Sequence, residues 1–179
     1  MRTVPRAFIV AFLALCPAFA SHALDEKYED LSASVEVAPI FSFALDNSNL
    51  AFGQLSPDKT AILGEGTFFN QVTCRSNDGR AWYLKAQVLS LRHLDSNHVL
   101  PVSSFKWRVV DSTGSAEPVG GRSEFHPFAA EPVLIYVSQG KDTQGQPVIL
   151  KFQYSLTTPP DALAGTYIGE VVFTMTESL

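Results

Sequence analysis

Cysteine is nearly missing from this chain. Two occur in 179 residues, and one of them, Cys16, lies in an apolar leader. Once that leader is removed, Cys74 stands alone, so no disulfide can form within one mature chain even where the compartment permits it. Long hydrophobic runs are also lacking. The longest, residues 7–16, is about half of the roughly 20 residues that a membrane-spanning helix needs. Basic residues are outnumbered, 13 Lys and Arg against 18 Asp and Glu. That balance argues against nucleic acid as a partner. Helical periodicity is scarce beyond the leader, which excludes a helical bundle.

What is present begins with an export signal. Arg2 and Arg6 precede the apolar stretch 7–16, and the small residues of "AFASHA" follow. Residues 1–23 therefore read as a secretory signal peptide. Cleavage fits after Ala20 or after Ala23, and Ala23 is the site adopted. Leu15 stands where a lipid-attachment box before Cys16 would carry a small residue, so no lipid is expected. The mature chain keeps 11 basic and 18 acidic residues, a formal net charge of −7. Its destination is the periplasm, the cell surface or an extracellular appendage, with no transmembrane span.

The rest of the chain alternates. In "AWYLKAQVLS", Trp82, Leu84, Ala86 and Val88 share one face and Lys85 and Gln87 the other. "FKWRVV" does the same with Phe105, Trp107 and Val109. In "VILKFQYSL", Val148, Leu150, Phe152, Tyr154 and Leu156 oppose Lys151, Gln153 and Ser155. Further strands are predicted at 34–45, 50–53, 67–74, 133–138 and 166–176. Asn77-Asp78-Gly79 supplies residues that tolerate positive φ, so 67–74 and 81–90 read as a hairpin. Turn signals recur at the spacing of a sandwich. The fold expected is all-β, an antiparallel immunoglobulin-like β-sandwich of about seven to nine strands. It forms one domain over 24–179, with 24–33 as a flexible lead. Cys74 shares parity with Phe68, Asn70 and Val72, which places an inert thiol on the apolar side.

Chemistry is thin. "VVDSTGS" puts Asp111 two residues, not one, ahead of Thr113-Gly114, and a carboxylate-pair mechanism needs a second such loop. His93, Asp95 and His98 share one polar loop and are competent zinc ligands, yet their spacing fits no metal motif. Trp82, Tyr83 and Trp107 would suit sugar stacking if exposed, but the two tryptophans keep aliphatic company, as core residues do. No nucleophile elbow, zincin helix or phosphate loop occurs. The sequence names no catalytic residue, metal or cofactor.

Four stretches together carry a resemblance: "SASVEVAPIFSF", "LAFGQLSPD", the "SNDGR" turn and "AGTYIGEVVFTMT". In order and spacing, across most of 33–176, they resemble the major subunits of colonisation-factor fimbriae, the alternate-chaperone pilins. A weaker similarity runs to bacterial cell-wall-binding domains. The pilin resemblance implies a cysteine-poor immunoglobulin-like sandwich. It also implies a groove filled by the amino-terminal extension of another subunit, and partners that include further copies, a periplasmic chaperone and an usher. On this chain the strand-exchange segment would be Val35, Val37, Phe41 and Phe43, with Pro39 interrupting it. The groove edge would be Tyr167, Val171, Phe173 and Met175. "LDEKYEDL" (24–31) departs from the pattern, being charged and spaced like a helix. The sequence thus leaves three functions open: a non-enzymatic appendage subunit, a monomeric binding module for carbohydrate or cell-wall polymer, and a hydrolase or metal enzyme built on 93–98.

Overall fold

Alternating apolar residues form strands because every second side chain can then be buried while the backbone pairs sideways. The computed structural model describes residues 34–178. The signal peptide and the lead at 24–33 lie outside the described residues. Ten strands follow in order: β1 (Phe41–Leu45), β2 (Thr60–Leu63), β3 (Asn70–Ser76), β4 (Tyr83–His93), β5 (Val99–Leu100), β6 (Phe105–Ser112), β7 (His126–Pro127), β8 (Val133–Val137), β9 (Val148–Thr157) and β10 (Tyr167–Thr176). Helix among the described residues is confined to two 3-10 turns, Val102–Ser104 and Gly140–Thr143. Val37–Leu179 forms one compact unit.

All pairing is antiparallel, in two sheets. One runs β1-β3-β9-β6-β7, with β2 also on β9, and the other runs β10-β4-β5, with β8 also on β4. Because β6 takes one flank of β9, β3 and β2 share the other. β3 lies beside 148–152 and β2 beside 154–157. The core draws on both sheets. Val72, Cys74, Val109, Leu150, Phe152 and Tyr154 meet Leu84, Ala86, Val88 and Ile135 in one cluster of buried side chains. The expected burial of Cys74 holds, and so does that of Trp82 and Trp107.

Beyond one end of the cluster the core is closed by polar groups. Asp142 is buried, and its carboxylate accepts the Tyr136 hydroxyl at 2.7 Å, Gln139 N–H at 3.0 Å and Ser115 N–H at 2.9 Å. Trp82 Nε1 donates to the Asp142 carbonyl at 3.2 Å. Burial alone would push this carboxyl up, but the Gln139, Tyr136 and Ser115 hydrogen bonds together outweigh it and hold the pKa below its ordinary value.

Several expectations change. The Asn77-Asp78-Gly79 turn does not close a hairpin, since β3 belongs to one sheet and β4 to the other. Trp82 instead bonds across to Ser138, through Ser138 Oγ and the Ser138 N–H, and this draws the chain into the second sheet. Residues 34–38 form no strand. Residues 50–53 form none either, and Leu50 and Phe52 pack onto the core as a cover. Gln153 and Ser155, placed on the solvent face by alternation, are buried. Gln153 Nε2 donates to the carbonyls of Gly64 at 2.6 Å and Thr67 at 2.7 Å, so the turn between β2 and β3 folds over it.

Candidate functional site

The site starts from an edge. Among the described residues β10 pairs with β4 alone. The backbone donors and acceptors along its other edge therefore have no strand partner. Antiparallel neighbours project to the same side of a sheet. Val171, Phe173 and Met175 stand opposite Val88, Ala86 and Leu84, which are fully or almost fully buried, so all three point inward. Phe173 meets Phe152 of the other sheet edge-to-face, with ring centroids 5.4 Å apart.

β1 forms the corresponding edge of the first sheet. Phe41, Phe43 and Leu45 stand opposite Ser76, Cys74 and Val72, which are likewise buried. Their side chains therefore also face inward, yet Phe41 is 48% exposed and Phe43 39% exposed. That inner face is unroofed. Further along, Leu45 lines an open cleft of about 1180 Å³ whose walls include Val171, Phe173, Phe105, Tyr154 and Leu156. Residues 47–57 line it as well, among them Asn47, Asn49 and Gln54 beside Leu50 and Phe52.

Local features fix the edge. The β10–β4 register slips between Gly169 and Val171, so that Leu89 and Ser90 oppose Glu170. A Cβ on Gly169 would collide with the Ser90 carbonyl oxygen. Such a bulge twists a strand and limits uncontrolled edge pairing. At the start of β10, Tyr167 lies between two imidazoles. Its hydroxyl donates to the Leu163 carbonyl at 3.1 Å and accepts from His98 Nδ1 at 2.9 Å.

His93 is not a loop residue. It ends β4, is buried, and uses both ring nitrogens: Nε2 bonds the Ala164 carbonyl at 3.0 Å, and Nδ1 accepts Asp95 N–H at 3.1 Å. Only the neutral Nε2–H tautomer satisfies both. The trio His93, Asp95 and His98 thus serves to tie the β4–β5 turn to the chain entering β10. No cluster of three metal-ligating side chains occurs among the described residues.

Other sequence candidates fall elsewhere. Asp111 pairs with Lys151 at 2.8 Å, whose hydrogen bond and charge hold the exposed carboxyl below its ordinary pKa. Trp82 and Trp107 are buried, so they and Tyr83 make no exposed platform. Of the groove-edge residues, Tyr167, Val171 and Phe173 line the cleft, while Met175 packs half-buried against the core. The exchange segment divides. Phe41 and Phe43 pair within their own chain as part of β1, whereas Val35 and Val37 are exposed and belong to no strand. Leu45, Phe105 and Leu156 were not anticipated as cleft residues. Their alternation marks them as inward-facing but does not say where the core is left open.

No protein-family model matches the chain, and no curated protein matches it. Among solved structures, a family 123 glycoside hydrolase from Clostridium perfringens, studied for glycolipid glycan hydrolysis, is similar over 68% of this chain and 19% of its own. The identity is 10% and the TM-score 0.39.

Proposed function

We propose that this chain is an exported, non-enzymatic immunoglobulin-like β-sandwich that accepts an extended segment of another polypeptide along the free edge of β10. The role is that of a structural subunit or accessory component of a bacterial surface appendage. Its partners are further copies or other subunits, delivered by a periplasmic chaperone and an usher. The observation that carries this reading is the free β10 edge bordering a cleft into which Val171 and Phe173 project. A strand added there gains main-chain hydrogen bonds, and its alternate side chains gain apolar contacts. Two sheets around one core, with β2 and β3 sharing one place beside β9, support the sandwich class.

Size-exclusion chromatography of the full chain, and of one lacking residues 24–37, tests the proposal. The full chain forms concentration-dependent oligomers. The shortened chain stays folded, does not oligomerise, and binds a peptide of residues 32–40. A full chain that is monomeric at every concentration and indifferent to the peptide would eliminate it. A second reading, a monomeric module binding carbohydrate or cell-wall polymer, draws support from the pairing of β1 with β3 in its own chain and from the polar side chains Asn47, Asn49 and Gln54 in the cleft lining. Saturable binding of such a polymer by the monomer, weakened by substitutions in 47–57, distinguishes it.

A further inference from the structure

Asn77 makes three hydrogen bonds to the segment that leads into β1. Its side-chain Oδ1 accepts Ile40 N–H at 2.6 Å, its Nδ2 donates to the Ala38 carbonyl at 3.0 Å, and its own N–H donates to the Ile40 carbonyl at 3.2 Å. The β1–β3 ladder itself begins one step later, at Phe41 opposite Ser76. Between Ala38 and Ile40 stands Pro39, which has no N–H to offer a ladder. The carboxamide of Asn77 thus acts as a substitute peptide group, presenting a donor and an acceptor in one plane and carrying the pairing past the proline. Val37 and Val35, just upstream, are 74% and 89% exposed and lie in no strand.

We propose that Asn77 is the positioning residue that sets where the held part of the amino-terminal segment ends and its free part begins. It would thereby fix the length of chain, up to Val37, that is available to pair with a second copy. This rests on the strand-addition reading for its use, although the clamp itself does not. The chemistry is specific. Asp is the same size but has only acceptors, and it would turn a carboxylate oxygen toward the Ala38 carbonyl. Asn77→Asp therefore removes the donor to the Ala38 carbonyl while keeping an acceptor for the Ile40 N–H, and Asn77→Ala removes both side-chain bonds without adding charge.

The test is amide hydrogen exchange on the full chain and on both variants, together with binding of each to the chain lacking residues 24–37. The Ile40 amide is expected to exchange about tenfold faster or more in Asn77→Ala, the equivalent of one net hydrogen bond, and to stay protected in Asn77→Asp, which keeps its acceptor. The amides of the β3–β9 ladder should be unchanged. Binding through the amino-terminal segment is expected to weaken about tenfold, since a segment loose at its base must be ordered on association. Unchanged Ile40 exchange in Asn77→Ala overturns the clamp, and faster exchange with undiminished binding overturns its positioning role. If the unaltered chain shows no association at all, the strand-addition reading fails, and the exchange result alone still decides whether Asn77 sets the boundary.

Discussion

Leu45, at the edge of one sheet, and Phe173, at the edge of the other, line the same cleft. In a closed sandwich a further strand would separate such residues from solvent. Here no strand does so among the described residues, and Leu50 and Phe52 cover part of the core without strand pairing. An unpaired edge with inward apolar side chains is a template for another chain. The bulge at Gly169 and the charge of Glu170 restrict the upstream part of that edge. The stretch from Val171 to Met175 is left as its regular portion.

Phe173→Ala should lower stability by about 2–4 kcal/mol, at or below the usual cost of truncating a fully buried Phe, because the ring is only partly covered yet packs on Phe152. Val171→Asp should also destabilise the fold and should remove peptide binding, since it turns an unpaired charge into the apolar wall. Urea denaturation combined with peptide titration separates the two effects.

The histidines should differ sharply. His93→Ala leaves the Ala164 carbonyl and the Asp95 N–H without their partner at a buried position, and should cost about 1–3 kcal/mol. His98→Ala removes one partner of a Tyr167 hydroxyl that keeps its bond to Leu163, and should cost under about 1 kcal/mol. Gly165→Ala should mimic the loss of His93, because a Cβ there would collide with His93 Nε2. Chemical denaturation of the three variants checks the order.

Cys74 is fully buried, and desolvation pushes its thiol up to about 12 from an ordinary 9.0. A thiol reagent at pH 8 should label it slowly in the native protein and rapidly in denaturant. The raised value stabilises the fold fully below pH 9 and is lost as pH rises toward 12. The stability difference between the unaltered chain and Cys74→Ala should therefore narrow across that window.

Asp142 works in the opposite direction. Its pKa in the folded protein lies below the ordinary 3.8, so its stabilisation is present above that value and is lost as pH falls through the folded one. Acid denaturation below about pH 4 should be shallower in Asp142→Asn, which is already less stable at neutral pH because it places an amide group where a carboxylate accepts three hydrogen bonds. Thermal unfolding across pH 2–7 measures both.

Much of this architecture can be read from alternation, and the failures have local causes. β4, β6, β9 and β10 are long enough for their inner residues to be unambiguous, as with Leu84, Ala86 and Val88. Val35 and Val37 alternate equally well, but alternation cannot report that no partner strand lies beside them. Leu50 and Phe52 likewise have strand spacing, and are used instead as a lid, with Phe52 edge-to-face on Phe105 at 5.5 Å. Gln153 was assigned to solvent because its neighbours in sequence say nothing about the turn 64–67 closing over it. The Asn77 turn misled in the same manner. Its side chain serves residues 38–40 rather than a hairpin, a contact across 37–39 positions of sequence. The edge residues Val171 and Phe173 are named through the resemblance to fimbrial subunits, which implies a groove edge there. The openness of the cleft beside them depends on how two sheets are offset, which is a property of the whole fold.

Backbone amide exchange of β10, measured with and without a peptide of residues 32–40 on the chain lacking residues 24–37, bears most directly on the central claim. The amides of β10 that point away from β4 should gain protection of at least about tenfold on adding peptide, while those already bonded to β4 stay as they were. Exchange of the outward amides that is unaltered at saturating peptide, or protection that appears only elsewhere in the cleft, would contradict strand addition at this edge.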